Sequence, residues 1–303
     1  MKYHTSIREK GGLILKYLIT GVTGQLGSKI LEEIKKIVPK NDVVAGIHST
    51  SKIDDFREKG LKVVKIDYFD RDSLVSALRD IDIFVYIPSK SYDSFTRITE
   101  LEYVIRAARK ANVKHLIAMG FIGDQVNDPF VLSAFYGYMP RRLASSGLKY
   151  TIIRNSLYAD TLISYLPEIL EKGNVNYPMK DKALSFISLE DSAKAFAKVA
   201  VDDKLRQNER IYTLTESRNY TMLELANILS KVTGRKIGYQ PADLSDFEDM
   251  HNKYGEGYIL GSMYKAGSRG LLQELSNDYQ VIMGHEATSL LEFLKNRVNE
   301  KSF

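Results

Sequence analysis

This 303-residue sequence predicts a doubly wound α/β fold, a parallel sheet covered by helices on both faces and followed by a smaller α/β unit. Three observations predict it. A glycine-punctuated turn at Gly21, Gly24 and Gly27 follows an apolar run and opens an amphipathic stretch. Short apolar runs then alternate with helical patterns as far as residue 154, as buried parallel strands and their crossovers require. Beyond residue 155 the alternation loosens, which marks a unit of different construction.

The first crossover carries the most chemistry. Leu13-Ile14-Leu15-Lys16-Tyr17 leads through Leu18-Ile19-Thr20 into Gly21-Val22-Thr23-Gly24-Gln25-Leu26-Gly27, and Leu26, Ile30, Leu31 and Ile34 then form one helical stripe. In a Rossmann-type turn of this spacing Gly21 permits the tight bend, Gly24 leaves bare backbone for a pyrophosphate, and Gly27 lets the helix pack closely on the sheet. The unpaired N–H groups of the helix start face the phosphates. The segment therefore assigns Gly21, Thr23, Gly24, Gln25, Leu26 and Gly27 to cofactor binding.

The remaining elements follow in order. Strands are expected at 43–47, 61–66, 81–87, 113–119 and 150–154, with helices at 54–59, 72–79, 96–111 and 140–146; Gly60 and Gly147 close two of those helices. A helix at 161–171 carries Pro167 as a kink or break. Another at 189–201 starts from Ser188 with Asp191 at capping-box spacing, and Thr221 with Glu224 caps a third at 222–232, ended by Gly234. Residues 212–214 and 236–239 are strand candidates. The Asp-, Tyr-, Met- and Gly-rich stretch 241–270 reads as a substrate-side cap with helical pieces, and 290–298 as a terminal helix before a fraying tail. The expected domains are 13–155 for the dinucleotide and 156–303 for the smaller substrate-side unit, with 185–215 returning to the first.

Composition narrows the function. Zero cysteines exclude disulfides and thiolate chemistry, and five histidines without a short-spaced pair point to no metal. A net charge of +5 is spread among acids without a basic stripe, so no nucleic acid is expected. No run reaches transmembrane length and the start shows no signal-peptide pattern, so the expectation is a cytoplasmic protein without integral membrane association; a homo-oligomer is left open.

The end of the second strand decides the dinucleotide. An acidic residue there would bind the ribose hydroxyls of NAD and repel a 2′-phosphate. Here His48 is followed by Ser49, Thr50, Ser51 and Lys52, and the first carboxylate is Asp54. Hydroxyls and a lysine suit a phosphate dianion, which favours NADP, while NAD stays open because a ribose can bind without a carboxylate. Asp67 and Tyr68, after the third strand, are placed to border the adenine. Pro88, Ser89 and Lys90, after the fourth, pass under the central or nicotinamide portion.

The glycine turn, the 44–52 segment, Asp67-Tyr68 and Gly147-Leu148-Lys149-Tyr150-Thr151-Ile152-Ile153-Arg154-Asn155-Ser156-Leu157-Tyr158 together resemble the NmrA-like branch of the atypical short-chain dehydrogenases, in particular its NAD(P)H-dependent quinone oxidoreductases. The resemblance implies a Rossmann domain with a smaller C-terminal domain and the cofactor in the cleft between them. It also exposes an absence. Where ordinary short-chain dehydrogenases carry a Tyr-x-x-x-Lys pair, this chain has Gly137 and Arg141, flanked by Tyr136 and Tyr138, and Ala118-Met119-Gly120 replaces the usual strand-end serine.

Alcohol oxidation by that mechanism is therefore not expected, whereas a quinone delocalises the oxyanion formed on hydride addition and needs a less specialised donor. Candidate catalytic residues are Arg141, for developing negative charge, and Tyr158 and Tyr138, as hydrogen-bond donors. Alternatives stand beside these: Arg141 in a solvated pair with Arg142, and Tyr158 packed between domains. Arg154 is expected to brace the domain junction. The rival function is a non-catalytic NADP-binding redox sensor, which draws on the same missing pair.

Overall fold

The computed structural model describes residues 15–252 and 255–300. Leu13 and Ile14 of the expected first strand, and 301–303 of the expected tail, lie outside the described residues.

β1 (Tyr17–Ile19) enters the glycine turn and α1 (Gln25–Lys35) leaves it, burying Leu26, Gly27, Ile30, Leu31 and Ile34 on one face. There follow β2 (Val43–Ile47), α2 (Ile53–Glu58), β3 (Lys62–Lys65), α3 (Arg71–Ala77), β4 (Ile83–Tyr86), α4 (Ser94–Lys110), β5 (His115–Phe121), α5 (Ser133–Ala144) and β6 (Tyr150–Asn155). The strands pair in parallel, and β1 lies between β2 and β4. The switch point lies between β1 and β4, where the winding direction reverses and a crevice opens at the carboxyl ends of the strands. β2 and β4 are buried along their whole length, which explains why they read as continuous apolar runs.

The chain then builds the smaller unit and returns. β7 (Leu157–Tyr158), α6 (Asp160–Lys172), β8 (Asn174–Val175), β9 (Ala183–Leu184) and β10 (Phe186–Ile187) precede α7 (Leu189–Val201), which packs on α1. β11 (Arg210–Leu214) joins the main sheet beside β6, giving the order β11-β6-β5-β4-β1-β2-β3. β12 (Tyr220–Thr221), α8 (Met222–Thr233), β13 (Gly238–Tyr239), α9 (Leu244–Met250), α10 (Gly257–Ser268), α11 (Asp278–Met283) and α12 (Leu290–Glu300) complete it. Three two-stranded pairs, β10 with β7, β12 with β9 and β13 with β8, bind this unit together.

The structure moves several expected boundaries. α5 begins at Ser133, not at residue 140, and Pro140 sits inside it. A proline there lacks only the N–H that would reach the Tyr136 carbonyl, and burial of Phe135, Tyr136, Met139 and Leu143 holds the helix across that gap. α6 likewise runs through Pro167. The 241–270 cap is two helices packed together, with Phe247 and Tyr264 buried. Asn299 and Glu300 are still helical where fraying was expected.

Candidate active site

The glycine turn is built as its spacing demands. Gly21 has φ +67°, and a Cβ there would stand 2.9 Å from the Ile87 Cβ, because Thr20 at the end of β1 is tied to the end of β4 by an Ile87 N–H to Oγ1 bond of 3.0 Å. At Gly27 a Cβ would fall 2.3 Å from the Gly21 carbonyl oxygen, so only glycine lets α1 start this close to β1. Gly24 is the N-cap of α1, and a Cβ there meets only the Gly21 oxygen, at 3.2 Å. No side chain caps this helix and its first turn holds no acid. Its leading N–H groups, together with exposed Thr23 and Gln25, are thus available to an anion.

At the adenosine edge, His48, Ser49, Ser51 and Lys52 all stand exposed just beyond the end of β2. The Ser49 and Ser51 hydroxyls are 2.8 Å apart, and His48 Nε2 lies 3.8 Å from Asp67 Oδ2. Tyr68 donates its hydroxyl to the Ile87 carbonyl at 2.8 Å, with its ring edge-on to Tyr86, and burial pushes its pKa up. It therefore holds the β4 end in place under the cleft. In the segment after β4, Ser89 Oγ accepts the Ser91 N–H at 3.2 Å, Pro88 is half-buried and Lys90 is exposed. Below them is a residue missed in the sequence: Glu100 of α4 is buried with one carboxylate oxygen unpartnered, and that burial raises its pKa.

The structure turns two of the candidate catalytic residues, Arg141 and Tyr138, away from the buried face of α5. Arg141 is exposed and donates to the Gly137 carbonyl of its own helix at 2.7 Å. Tyr138 donates to Glu102 Oε1 at 2.7 Å, and Arg142 donates to the same carboxylate. Both residues fall off the buried stripe of α5, which runs Phe135, Tyr136, Met139, Leu143. At Gly137 a Cβ would stand 3.1 Å from the Asp124 carbonyl oxygen, so a larger residue there would press on the loop after β5.

Tyr158 stands at the end of β7 with its hydroxyl buried and without a hydrogen-bond partner, and burial raises its pKa. The inward tyrosine of α5 is Tyr136, whose hydroxyl accepts from Arg97 Nη1 at 3.0 Å. A cavity of about 280 Å³ lies between α5 and the β5–β6 end of the sheet, lined by Gly120, Phe121, Tyr136, Met139 and Arg154. Starting α5 at residue 133 would have placed Tyr136 on its inner face. Arg97 and Glu100 were signalled only by charges at otherwise apolar positions of α4.

A model of the NmrA-like family matches residues 15–275, and the chain belongs to that family. Its relatives include an NAD(P)H azoreductase of Xenophilus azovorans, 24% identical over 283 residues, and the class of this chain is an NAD(P)H-dependent oxidoreductase built on a glycine cradle. Quinone oxidoreductase 2 of Escherichia coli is 28% identical over 285 residues, spanning 93% of this chain and 98% of that protein. The crystal structure of the NADPH-dependent quinone oxidoreductase of Escherichia coli complexed with NADPH superposes with a TM-score of 0.85, at 28% identity, over 93% of this chain and 100% of that one. The triphenylmethane reductase of a Citrobacter species, complexed with NADP(H), gives 0.85 at 26% identity, over 93% and 99%. A Staphylococcus aureus nucleoside-diphosphate-sugar epimerase gives 0.87 at 36% identity, over 93% and 100%. The open helix start, with the close approach at Gly27, fits a dinucleotide of the kind that the quinone oxidoreductase and triphenylmethane reductase crystal structures contain. Among the described residues no helix is long and apolar enough to cross a membrane.

Proposed function

We propose that this oxidoreductase transfers hydride to a quinone-like acceptor and prefers NADPH to NADH. The observation that carries the reading is a cavity lined by Phe121, Tyr136, Met139 and Arg154, between α5 and the β5–β6–β11 part of the same sheet whose β1 carries the glycine turn, with an outward arginine at position 141 of α5. NADPH supplies the hydride. The chain holds the pyrophosphate on Gly21, Thr23, Gly24, Gln25, Leu26 and Gly27, and the 2′-phosphate on His48, Ser49, Ser51 and Lys52, with Asp67 and Tyr68 beside the adenine. Pro88, Ser89 and Lys90 support the central and nicotinamide portion. Tyr158 keeps a neutral, unspent O–H for the carboxamide or the acceptor.

The lack of a tyrosine–lysine pair also weighs against alcohol oxidation and against epimerisation by a tyrosine base. NADPH consumption with a panel of quinones and matched aldehydes tests the proposal. Quinone-dependent turnover with inert aldehydes is expected. Tight NADPH binding without turnover of any quinone would favour the second reading, a redox sensor, for which the same outward Arg141 speaks.

A further inference from the structure

We propose that Tyr136 is the hydrogen-bond donor to the acceptor's carbonyl oxygen, with Arg97 of α4 fixing its hydroxyl for that task. The inference rests on the quinone reading and adds the group that meets the developing charge. Tyr136 is 8% exposed, yet it borders the cavity together with Phe121. Its ring centre lies 5.6 Å from that of Phe121 and is stacked at 6.5 Å on Phe130. Packing alone would be served as well by a phenylalanine in this cluster.

The hydroxyl is set by its cation. Arg97 is 7% exposed, its Nε donates to the Ser91 carbonyl at 2.7 Å, and its guanidinium stands 5.7 Å and 5.9 Å from the ring centres of Phe135 and Tyr136. A guanidinium only donates, so in the 3.0 Å contact the Tyr136 oxygen is the acceptor. The tyrosine's own O–H finds no acceptor among the described residues and remains free for a ligand. A charge-assisted bond into its oxygen polarises that O–H further. Ser91 follows the Pro88–Lys90 stretch directly, so Arg97 also couples this hydroxyl to the segment that supports the cofactor.

The chemistry balances simply. A hydride delivered to the quinone ring, at the expense of NADPH oxidised to NADP+, moves an electron pair onto a carbonyl oxygen. The oxyanion is held by the intact Tyr136 O–H and takes a proton from water; loss of the ring C–H proton to water, with protonation of the second carbonyl oxygen, then restores the aromatic ring and gives the hydroquinone. An acceptor that forms no oxyanion gains nothing from this donor.

That difference is the test. Wild type, Tyr136→Phe, Arg97→Gln and Arg97→Lys are compared with NADPH and two acceptors: 1,4-naphthoquinone, and a cationic triphenylmethane dye that takes hydride at its central carbon. Tyr136→Phe should lower kcat for the quinone by about 100-fold, while the dye rate and the NADPH affinity stay within about twofold. Arg97→Gln should share the quinone-selective loss and Arg97→Lys should recover part of it. Independently of turnover, the infrared carbonyl stretch of naphthoquinone bound to the NADP+ complex should be lowered in wild type and return to its free position in Tyr136→Phe. Equal losses with both acceptors, or an unmoved carbonyl band, would overturn the role of Tyr136. A wild-type protein that reduces no quinone would instead overturn the acceptor reading, and this inference with it.

Discussion

Arg154 grips Glu274 through two N–H···O bonds of 2.8 Å each, from Nη1 and Nη2, and so ties β6 of the main sheet to the segment that follows α10. The same guanidinium reaches Asp124 in the loop after β5, at 2.9 Å, and Thr213 of β11, also at 2.9 Å. One side chain thus sets the wall of the cavity and the junction between the two units.

Removing that arginine leaves two carboxylates facing each other without their cation. Arg154→Leu should cost ~2–3 kcal/mol, below the ~3–5 of a fully buried pair because the Glu274 side chain is 37% exposed. Glu274→Gln, which leaves Arg154 on Asp124, should cost less. Urea unfolding of the three proteins checks the order.

The two inner glycines of the turn should separate folding from binding. Gly24 has ordinary extended backbone, and a Cβ there meets only the Gly21 carbonyl oxygen, at 3.2 Å, so Gly24→Val should still fold, at a cost of about 1 kcal/mol for valine at an N-cap, and lose at least about tenfold in NADPH affinity by calorimetry. Gly27→Ala places a methyl group 2.3 Å from a backbone oxygen and should cost ~1–3 kcal/mol of stability as well.

Lys52 is exposed beside Ser49 and Ser51 and faces no acid among its hydrogen-bond partners. Lys52→Ala should weaken NADPH by ~1.5–3 kcal/mol, or roughly 10- to 150-fold, and leave NADH nearly unchanged. Titration with both cofactors decides; equal losses would place Lys52 in the fold or at the pyrophosphate.

Tyr158→Phe removes a buried hydroxyl that has no partner. Melting temperature should hold or rise, since an unsatisfied polar group is lost, while turnover falls if that O–H meets a ligand. A variant with unchanged turnover would confine Tyr158 to packing.

Two buried groups tilt the pH dependence of stability in opposite directions. Burial pushes the Glu216 carboxyl up to about 7, although Tyr220 and the Leu290 N–H both donate to it. The folded state then binds the extra proton, so this contribution is present below the usual carboxylate range and is lost as pH rises towards 7; Glu216→Gln should flatten that decline. Burial and nearby cations hold His115 down at about 4. Thr151 gives its hydroxyl proton to the Gln207 carbonyl, so the neutral His115 ring donates to Thr151 from Nε2. Its contribution is present above the usual histidine range and is lost as pH falls towards 4. Denaturant midpoints of Glu216→Gln and His115→Gln between pH 4 and pH 8 should bend away from wild type at opposite ends.

Much of the geometry of the candidate cofactor site was legible because it is local. Gly21, Gly24 and Gly27 act on a turn seven residues long, and His48 to Lys52 follow one strand, so the residue types and their spacing already contain the geometry. The α5 region was not legible in the same way. Pro140 looked like a helix start, and shifting the true start to Ser133 turned Arg141 and Tyr138 outward and Tyr136 inward.

The sequence by itself determined the alternating strands, the parallel crossovers and the nucleotide turn, because buried apolar runs and glycine spacing act within a single crossover. Only the tertiary structure decided which α5 residues face the cavity, that Arg97 of α4 reaches Tyr136, and that Arg154 finds Glu274 120 residues away. Those pairings depend on how helices from distant parts of the chain pack on one sheet, and neither helical phase at an unmarked start nor a contact across that separation is written in any local pattern.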